Sequence, residues 1–267
     1  MKDLESGNHK IGIIGGTVTL DESLLKNVQR IRVKTPYGSP SAAPISGEIG
    51  KKGIIILPRH GDSHTLNPTN VKYRANIWAM KELGVRQIFA VNAVGSLKEE
   101  FRPGDIVLPN QFIDFTKFRK STFYDSRKVC HISSADPFCP ELRKILIETA
   151  EELSLPYHPK GTCVVVEGPR FSARAESNIF RSWNADIINM TMFPEVILAR
   201  EAELCYANIS MVTDYDVWRD HPVSNDEVLR TMKLNVEKVR KLLMAVIPKV
   251  KEERTCSCKD ALNGAFM

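Results

Sequence analysis

The sequence predicts an α/β protein whose mostly parallel or mixed sheet is covered by helices on both faces. Short apolar runs, typical of strands buried on both sides, alternate with amphipathic stretches of helical period. Polar and glycine-rich clusters recur directly after those runs, where loops at strand ends carry function in such folds. A chain of 267 residues, 43% hydrophobic and 26% charged, can fill one large core. No repeat, low-complexity tract or linker interrupts it. A single domain over 1–267 is expected, with the polar stretch from Lys251 beginning a mobile tail at 251–267.

Strands are expected at 11–16, 53–57, 87–91, 105–108, 162–166, 185–188 and 208–212, each a compact apolar run. A helix is expected over 70–83, where Tyr73, Ile77 and Met80 share a face and Gly84 supplies a stop. A second is expected over 141–153 behind Pro140, with Leu142, Ile145, Leu146 and Leu153 recurring, and a third over 194–207. The last helix begins with an S-x-x-E capping pattern, Ser224 and Glu227. Its apolar stripe runs Val228, Met232, Val236, Val239, Leu243, Val246.

Several classes are excluded by composition. No stretch approaches the roughly 18–20 apolar residues that span a bilayer, and the charged first ten residues lack a signal-peptide core. A cytoplasmic protein is expected. Its net charge of +5 is scattered rather than clustered, which argues against a nucleic-acid partner. Six cysteines in so long a chain do not make a disulfide scaffold. Cys139 and Cys205 lie beside apolar segments and are expected as inert buried thiols, a hyperthermophile-type disulfide being the alternative. Cys256-Ser-Cys258 is spaced too tightly for a usual zinc site, and reads as redox-active or free tail thiols.

Five strand-end clusters are candidates for chemistry. Gly15-Gly16-Thr17 brings backbone N–H groups and a hydroxyl to a ligand, or is a plain turn. Arg59-His60-Gly61 offers a planar fork of donors suited to an anion, or a surface ion pair. The run from Asn92 through Ala93 and Gly95 to Ser96 allows close backbone approach, or is a structural turn. In the stretch Glu167 to Ser172, Phe171 is placed to stack on a ring, although an aromatic there is as readily core. Thr213-Asp214-Tyr215-Asp216 carries two carboxylates at i, i+2, which project together if the segment stays extended. With no further ligand types beside them, a metal is not expected.

Read together, IGIIGGT (11–17), TPYG (35–38), LPRHG (57–61), KYRANIWA (72–79), ADPFCP (135–140), EGPRFS (167–172), INMT (188–191) and TDYD (213–216) resemble the purine nucleoside phosphorylase superfamily, in particular its methylthioadenosine-cleaving branch. The ordered set spans nearly all of 11–246. The resemblance implies an α/β fold with a central mixed, partly barrel-like sheet, assembled as a homotrimer or a dimer of trimers. It implies that a nucleoside and inorganic phosphate are the ligands, with phosphate a co-substrate and no cofactor or metal. Thr17, Arg59, His60, Asn92, Ala93 and Thr191 would hold phosphate. Met190, Phe171, Tyr215 and Gly95 would touch the nucleoside. Ser172 would lie near the base, Asn225, Val228 and Leu229 would line the 5′ pocket, and His131 would come from a neighbouring subunit.

Under that resemblance Asp214, protonated through burial, would deliver a proton to purine N7, and Asp216 would accept from the 6-amino group. A carboxylate facing a 6-oxo group would be repelled, so adenine is the expected base. This chain departs from the family pattern at Val18, Asn92, Met192-Phe193 and Asn225. The asparagines would make the site tolerate a 5′-hydroxyl, so that adenosine is also a substrate. Rival readings are a broad adenosine phosphorylase, a hydrolytic nucleosidase, which would need no anion site, and a weakened nucleoside-binding protein.

Overall fold

The computed structural model describes residues 9–15, 22–126, 128–219 and 225–267, with only the backbone of Asn225 and Glu227 included. The expected capping pair at Ser224 and Glu227 therefore lies outside the described side chains, as do Thr17 and Val18.

The first half of the chain contains β1 (Lys10–Gly15), β2 (Lys26–Arg30), β3 (Ile45–Ile49), β4 (Lys52–Pro58), α1 (Tyr73–Glu82), β5 (Val85–Ser96), β6 (Ile106–Val107) and β7 (Gln111–Phe115). The second half adds α2 (Pro140–Glu152), β8 (Tyr157–His158), β9 (Thr162–Val166), α3 (Arg174–Ser182), β10 (Ile187–Asn189), α4 (Met192–Glu201), β11 (Cys205–Asp214) and α5 (Asn225–Val246). Helix α1 stops where expected. Gly84 takes φ +82°, a left-handed value that glycine adopts without a Cβ clash, and its N–H bonds back to Lys81. Pro140 opens α2, where its missing N–H costs nothing.

All eleven strands join one mixed sheet, in the order β2-β3-β4-β1-β5-β10-β9-β7. The sheet forks at β5, because β11 also pairs with β5 and carries β6 and β8 beyond it. Through Val94, β5 runs parallel to β11; at Gly95 and Ser96 it pairs antiparallel with β10. The changeover coincides with a register shift between Val212 and Asp214. One strand thus serves two branches, and the polar ends of both branches converge at its last third.

Apolar side chains pack in two large groups on opposite sides of the sheet. One joins Ile11, Phe89, Ile209, Leu142 and Leu146 to the α5 stripe of Val236, Val239, Leu243 and Val246. The other joins Ile14, Leu57, Ile77, Met80, Tyr206 and Val196. Helix α4 is buried nearly all round, and Phe193 within it is non-helical (φ −101°, ψ 137°) because the residue before a proline avoids the helical region.

The expected third helix ran too far. Glu203 turns the chain at φ +59°, and 205–207 already belong to β11. The segment expected to be a mobile tail is packed. The Arg254 guanidinium donates to the Glu203 carbonyl at 2.6 Å, and Thr255 N–H to the Glu141 carboxylate at 3.0 Å. Phe266 bridges to Cys130. Cys256 and Cys258 are buried and meet Cys139 and Cys205, so these thiols form a cluster rather than isolated inert groups. No helix among the described residues is long and apolar enough to cross a membrane.

Candidate active site

A cavity of about 570 Å³ opens at the fork, lined from the segment after β4, from β5, β9, β10 and β11, and from one face of α5. It gathers Arg59, His60, Asn92, Ala93, Gly95, Phe171, Ser172, Met190, Thr191, Asp214, Asp216, Val228 and Leu229 from the residues singled out in the sequence. Two expected residues lie elsewhere. The Tyr215 hydroxyl donates to the Glu99 carbonyl and its ring packs edge-on against Trp218, away from the cavity. His131 is exposed and its N–H donates to the Ala265 carbonyl, so it forms no part of this chain's own cavity. The side chain of Asn225 and all of Thr17 fall outside the described residues.

Asp214 ends β11, and its Oδ1 accepts the backbone N–H of Asp216 at 2.8 Å. This side-chain-to-backbone turn fixes Asp216 at φ +50°, a left-handed conformation that Asp tolerates better than most residues. The carboxylates therefore share the cavity through a tight turn, not through the extended segment expected from their i, i+2 spacing. The Thr213 hydroxyl donates to Asp214 Oδ2 at 2.7 Å. Gly95 makes room for both acids: a Cβ there would come within 3.0 Å of Asp214 Oδ1 and 3.3 Å of Asp216 Cβ.

Burial pushes the Asp216 carboxyl above the usual carboxylate range, while the Ser177 hydroxyl and the Val217 N–H pull the other way. Among the described residues no hydrogen bond reaches Asp216 Oδ2. The same holds for Ser172 Oγ and Asn92 Nδ2, both buried on the cavity wall. Three residues lining one cavity that each keep an unsatisfied buried polar atom are a costly arrangement.

Toward the β4 and β5 end the wall carries Arg59 and His60. Arg59 is buried, and its Nε and Nη2 both donate to the Glu195 carboxylate at 2.8 Å. Nη1 donates to the Val91 carbonyl at 2.9 Å. Burial alone would lower this guanidinium's pKa; the Glu195 carboxylate outweighs it and holds the pKa above its usual value. The planar fork read as an anion clamp is thus spent on Glu195, and Arg59 faces the cavity only with what remains. His60 Nδ1 lies 2.8 Å from the Leu66 carbonyl, and the ring stacks on His64 at 4.4 Å. Burial, with Arg59 adding to it, pulls the His60 pKa down to about 4, so the ring is neutral at neutral pH.

Asn189 ties this end together and was not singled out, although it sits inside the INMT run. Its Nδ2 donates to the Ala93 carbonyl at 3.1 Å, and its Oδ1 accepts from the Thr191 and Met192 N–H groups at 2.6 and 2.7 Å. Asn92 stands over Ser210, with Oδ1 and Oγ 3.1 Å apart. Met192 and Phe193 are buried in the core and do not line the cavity. Glu167 pairs with Arg119, and Arg170 with Glu176, so neither reaches the cavity. The far wall is apolar: Val228, Leu229, Met232 and Val236 come from one face of α5. Met232 and Val236 belong to the stripe read as core, and periodicity alone does not separate a core face from a pocket face.

One cavity thus holds the Arg59–Glu195 pair and a neutral His60 at one end, a carboxyl pair, and an apolar wall from α5. The chain belongs to the phosphorylase superfamily, whose sequence profile matches residues 10–248. It is 58% identical over 258 residues to the S-methyl-5′-thioadenosine phosphorylase of Pyrococcus furiosus, covering 97% of this chain and 99% of that one. Among solved structures it resembles the methylthioadenosine phosphorylase from Schistosoma mansoni in complex with adenine. That match has a TM-score of 0.91 and 40% identity, over 97% of each chain. A point mutant of the adenosine/methylthioadenosine phosphorylase from the same organism, in complex with methylthioadenosine, matches with a TM-score of 0.90 and 41% identity over 97% of each chain.

Proposed function

We propose that the protein cleaves S-methyl-5′-thioadenosine with inorganic phosphate, releasing adenine and 5-methylthioribose 1-phosphate. The observation that carries this reading is one cavity lined by Asp214, Asp216, Ser172 and Asn92, the last three each with an unsatisfied buried polar atom, together with the apolar residues of α5. A purine edge supplies both a donor and an acceptor to the carboxyl pair. The thioether fits the α5 wall of Val228, Leu229 and Met232.

A phosphate oxygen attacks C1′ as the bond from C1′ to N9 breaks. The electron pair leaves with the purine, which then takes a proton at N7. The Asp214–Asp216 pair holds that proton. Asp214 already accepts from Thr213 and from the Asp216 N–H, which favours its anionic form. Burial favours the protonated form of Asp216. The proton is therefore assigned to the pair rather than to either carboxyl alone. A neutral His60 whose Nδ1–H donates to Leu66 presents Nε2 as an acceptor, suited to the P–OH of monohydrogen phosphate. Phosphate negative charge beside the cationic sugar stabilises the transition state. The scheme uses no metal or organic cofactor.

The active form is proposed to be a homotrimer in the cytoplasm, with the exposed Phe171 and Leu229 at the cavity mouth covered by a neighbour. Incubation with methylthioadenosine, with and without phosphate, tests the reaction. Adenine release that requires phosphate, with inosine unreactive, is the expected result. Release without phosphate would point to hydrolysis, and binding without release to a nucleoside-binding protein. Adenosine run alongside measures tolerance of a 5′-hydroxyl.

A further inference from the structure

The strand that carries the two acids is gripped from α5 by Asn235, a residue that does not itself line the cavity. Asn235 is fully buried, and its Nδ2 donates to the Val212 carbonyl at 2.9 Å. Among the described residues no hydrogen bond reaches its Oδ1. The Val212 backbone has other partners as well. Its N–H donates to the Asp105 carbonyl at 3.0 Å, and its carbonyl accepts the Gly104 N–H at 2.9 Å. The Asn235 amide therefore bonds a carbonyl that is already satisfied, and carries the cost of a buried unpaired oxygen. A leucine of the same branched outline would suit the apolar cluster that α5 joins. Polar groups kept against such a local rule sit where function needs them.

Val212 is where a bulge begins. It pairs with Val94 of β5, and the next pair is Asp214 with Gly95, so Thr213 is an extra residue on β11. A bulge bends its strand and re-aims the side chains beyond it. Here those are Asp214, whose Oδ1 accepts the Asp216 N–H at 2.8 Å, and Asp216 itself. The Thr213 hydroxyl spans the bulge, 3.2 Å from the Val94 carbonyl and 2.7 Å from Asp214 Oδ2. On the same helix Met232 and Val236, either side of Asn235, line the cavity. Lys238 lies a turn further on and donates to the Gly104 carbonyl at 2.6 Å, so α5 also holds the turn that bonds Val212. The helix of the apolar wall and the strand of the acids thus share one buried amide contact at the point where the strand changes register.

We propose that Asn235 is a positioning residue for the Asp214–Asp216 pair: by fixing the Val212 carbonyl it sets where the bulge begins, and with it the aim of both carboxyls relative to the apolar wall. The proposal rests on the reaction proposed above. Its effect falls on proton delivery more than on binding, because Val228, Leu229 and Met232 still line the cavity without it. Periodicity hides such a residue, since Asn235 stands between Met232 and Val236 as a mere polar interruption of an apolar face.

The test compares wild type with Asn235→Leu in the full chain, by kinetics, melting and hydrogen exchange. With methylthioadenosine and phosphate, kcat should fall about tenfold or more while KM for methylthioadenosine changes less than about threefold. Tm should rise or stay within about 2 °C of wild type. Exchange of the backbone N–H groups of 213–216 should quicken about tenfold or more, with the rest of the chain unchanged. If Asn235→Leu does not fold, Asn235→Ser, smaller and too short to reach Val212, gives the same comparison. A kcat within about twofold of wild type would overturn the proposal. So would a fall in Tm beyond about 5 °C with faster exchange across the whole chain, the mark of a residue that only stabilises the fold. A wild type that releases no adenine would count against the reaction itself. Exchange at 213–216 would then decide the role of Asn235, and unchanged rates in the variant would overturn it.

Discussion

Asp216 is buried, left-handed and has an oxygen that no described group satisfies, and each of these features costs stability. A carboxyl whose pKa is higher folded than unfolded favours the folded state while it is protonated. That contribution is present below the ordinary Asp value and is lost as pH rises through the raised one. At a pH above that raised value the wild type carries the cost of a buried charge, and Asp216→Asn should remove it. The variant should melt a few degrees higher at pH 7–8, by about 1 kcal/mol, with the gain vanishing near pH 3–4. Its kcat/KM for methylthioadenosine should fall about 10²–10³-fold. A variant that is both less active and less stable at pH 8 would refute this view of the residue. At this scale the sequence was partly legible. The TDYD run pointed to two carboxylates, but the turn that aims them depends on Asp214 accepting a specific backbone N–H, which spacing does not reveal.

Between elements, Glu195 on α4 and Arg59 at the end of β4 form a bidentate pair that also takes the Tyr206 hydroxyl from β11 at 2.8 Å. Three elements thus meet on one buried carboxylate. Glu195→Gln would leave the Arg59 charge inside the core with a neutral partner, and should destabilise the fold by about 3–5 kcal/mol. Denaturant unfolding measures this; a loss under about 1 kcal/mol would mean that solvent reaches Arg59. The sequence signalled Arg59 but not its partner, 136 residues away. Other elements followed the same division. The apolar runs of β1, β4, β9 and β11 were legible because burial on both faces leaves a continuous signal. The strands β2 and β7 and the polar helix α3 were not, since each exposes much of its surface, and β3 was not because Ser46-Gly47-Glu48 interrupts its apolar signal. Strand β5 was cut short at Val91 because the residues beyond are polar or small, and they are polar or small because they line the cavity.

For the whole molecule, the apolar surface left uncovered bears on assembly. Phe118 is 80% exposed, and Phe115, Ile179 and Trp183 also stand out to solvent. Exposed aromatic and aliphatic groups in such number are what the proposed trimer would bury. Sedimentation should report three chains per particle, and Phe118→Glu should shift the population toward monomer. If the neighbour also closes the cavity mouth at Phe171 and Leu229, KM for methylthioadenosine should rise with dissociation. A fully active monomer would show that the site is complete within one chain. The expectation of a trimer rests only on family resemblance, because a lone chain's pattern does not separate surface apolar residues from core ones.

The two-branched pairing of β5 has a further consequence, for how this protein can change. Side chains alternate faces along a strand, so adding or deleting one residue before Asn92 would turn Asn92, Ala93 and Gly95 each to the opposite side. The proposed phosphate and base ends hang on neighbouring residues of the same strand and would be lost in a single step. The twelve residues of β5 behave as a ruler whose length is not open to drift.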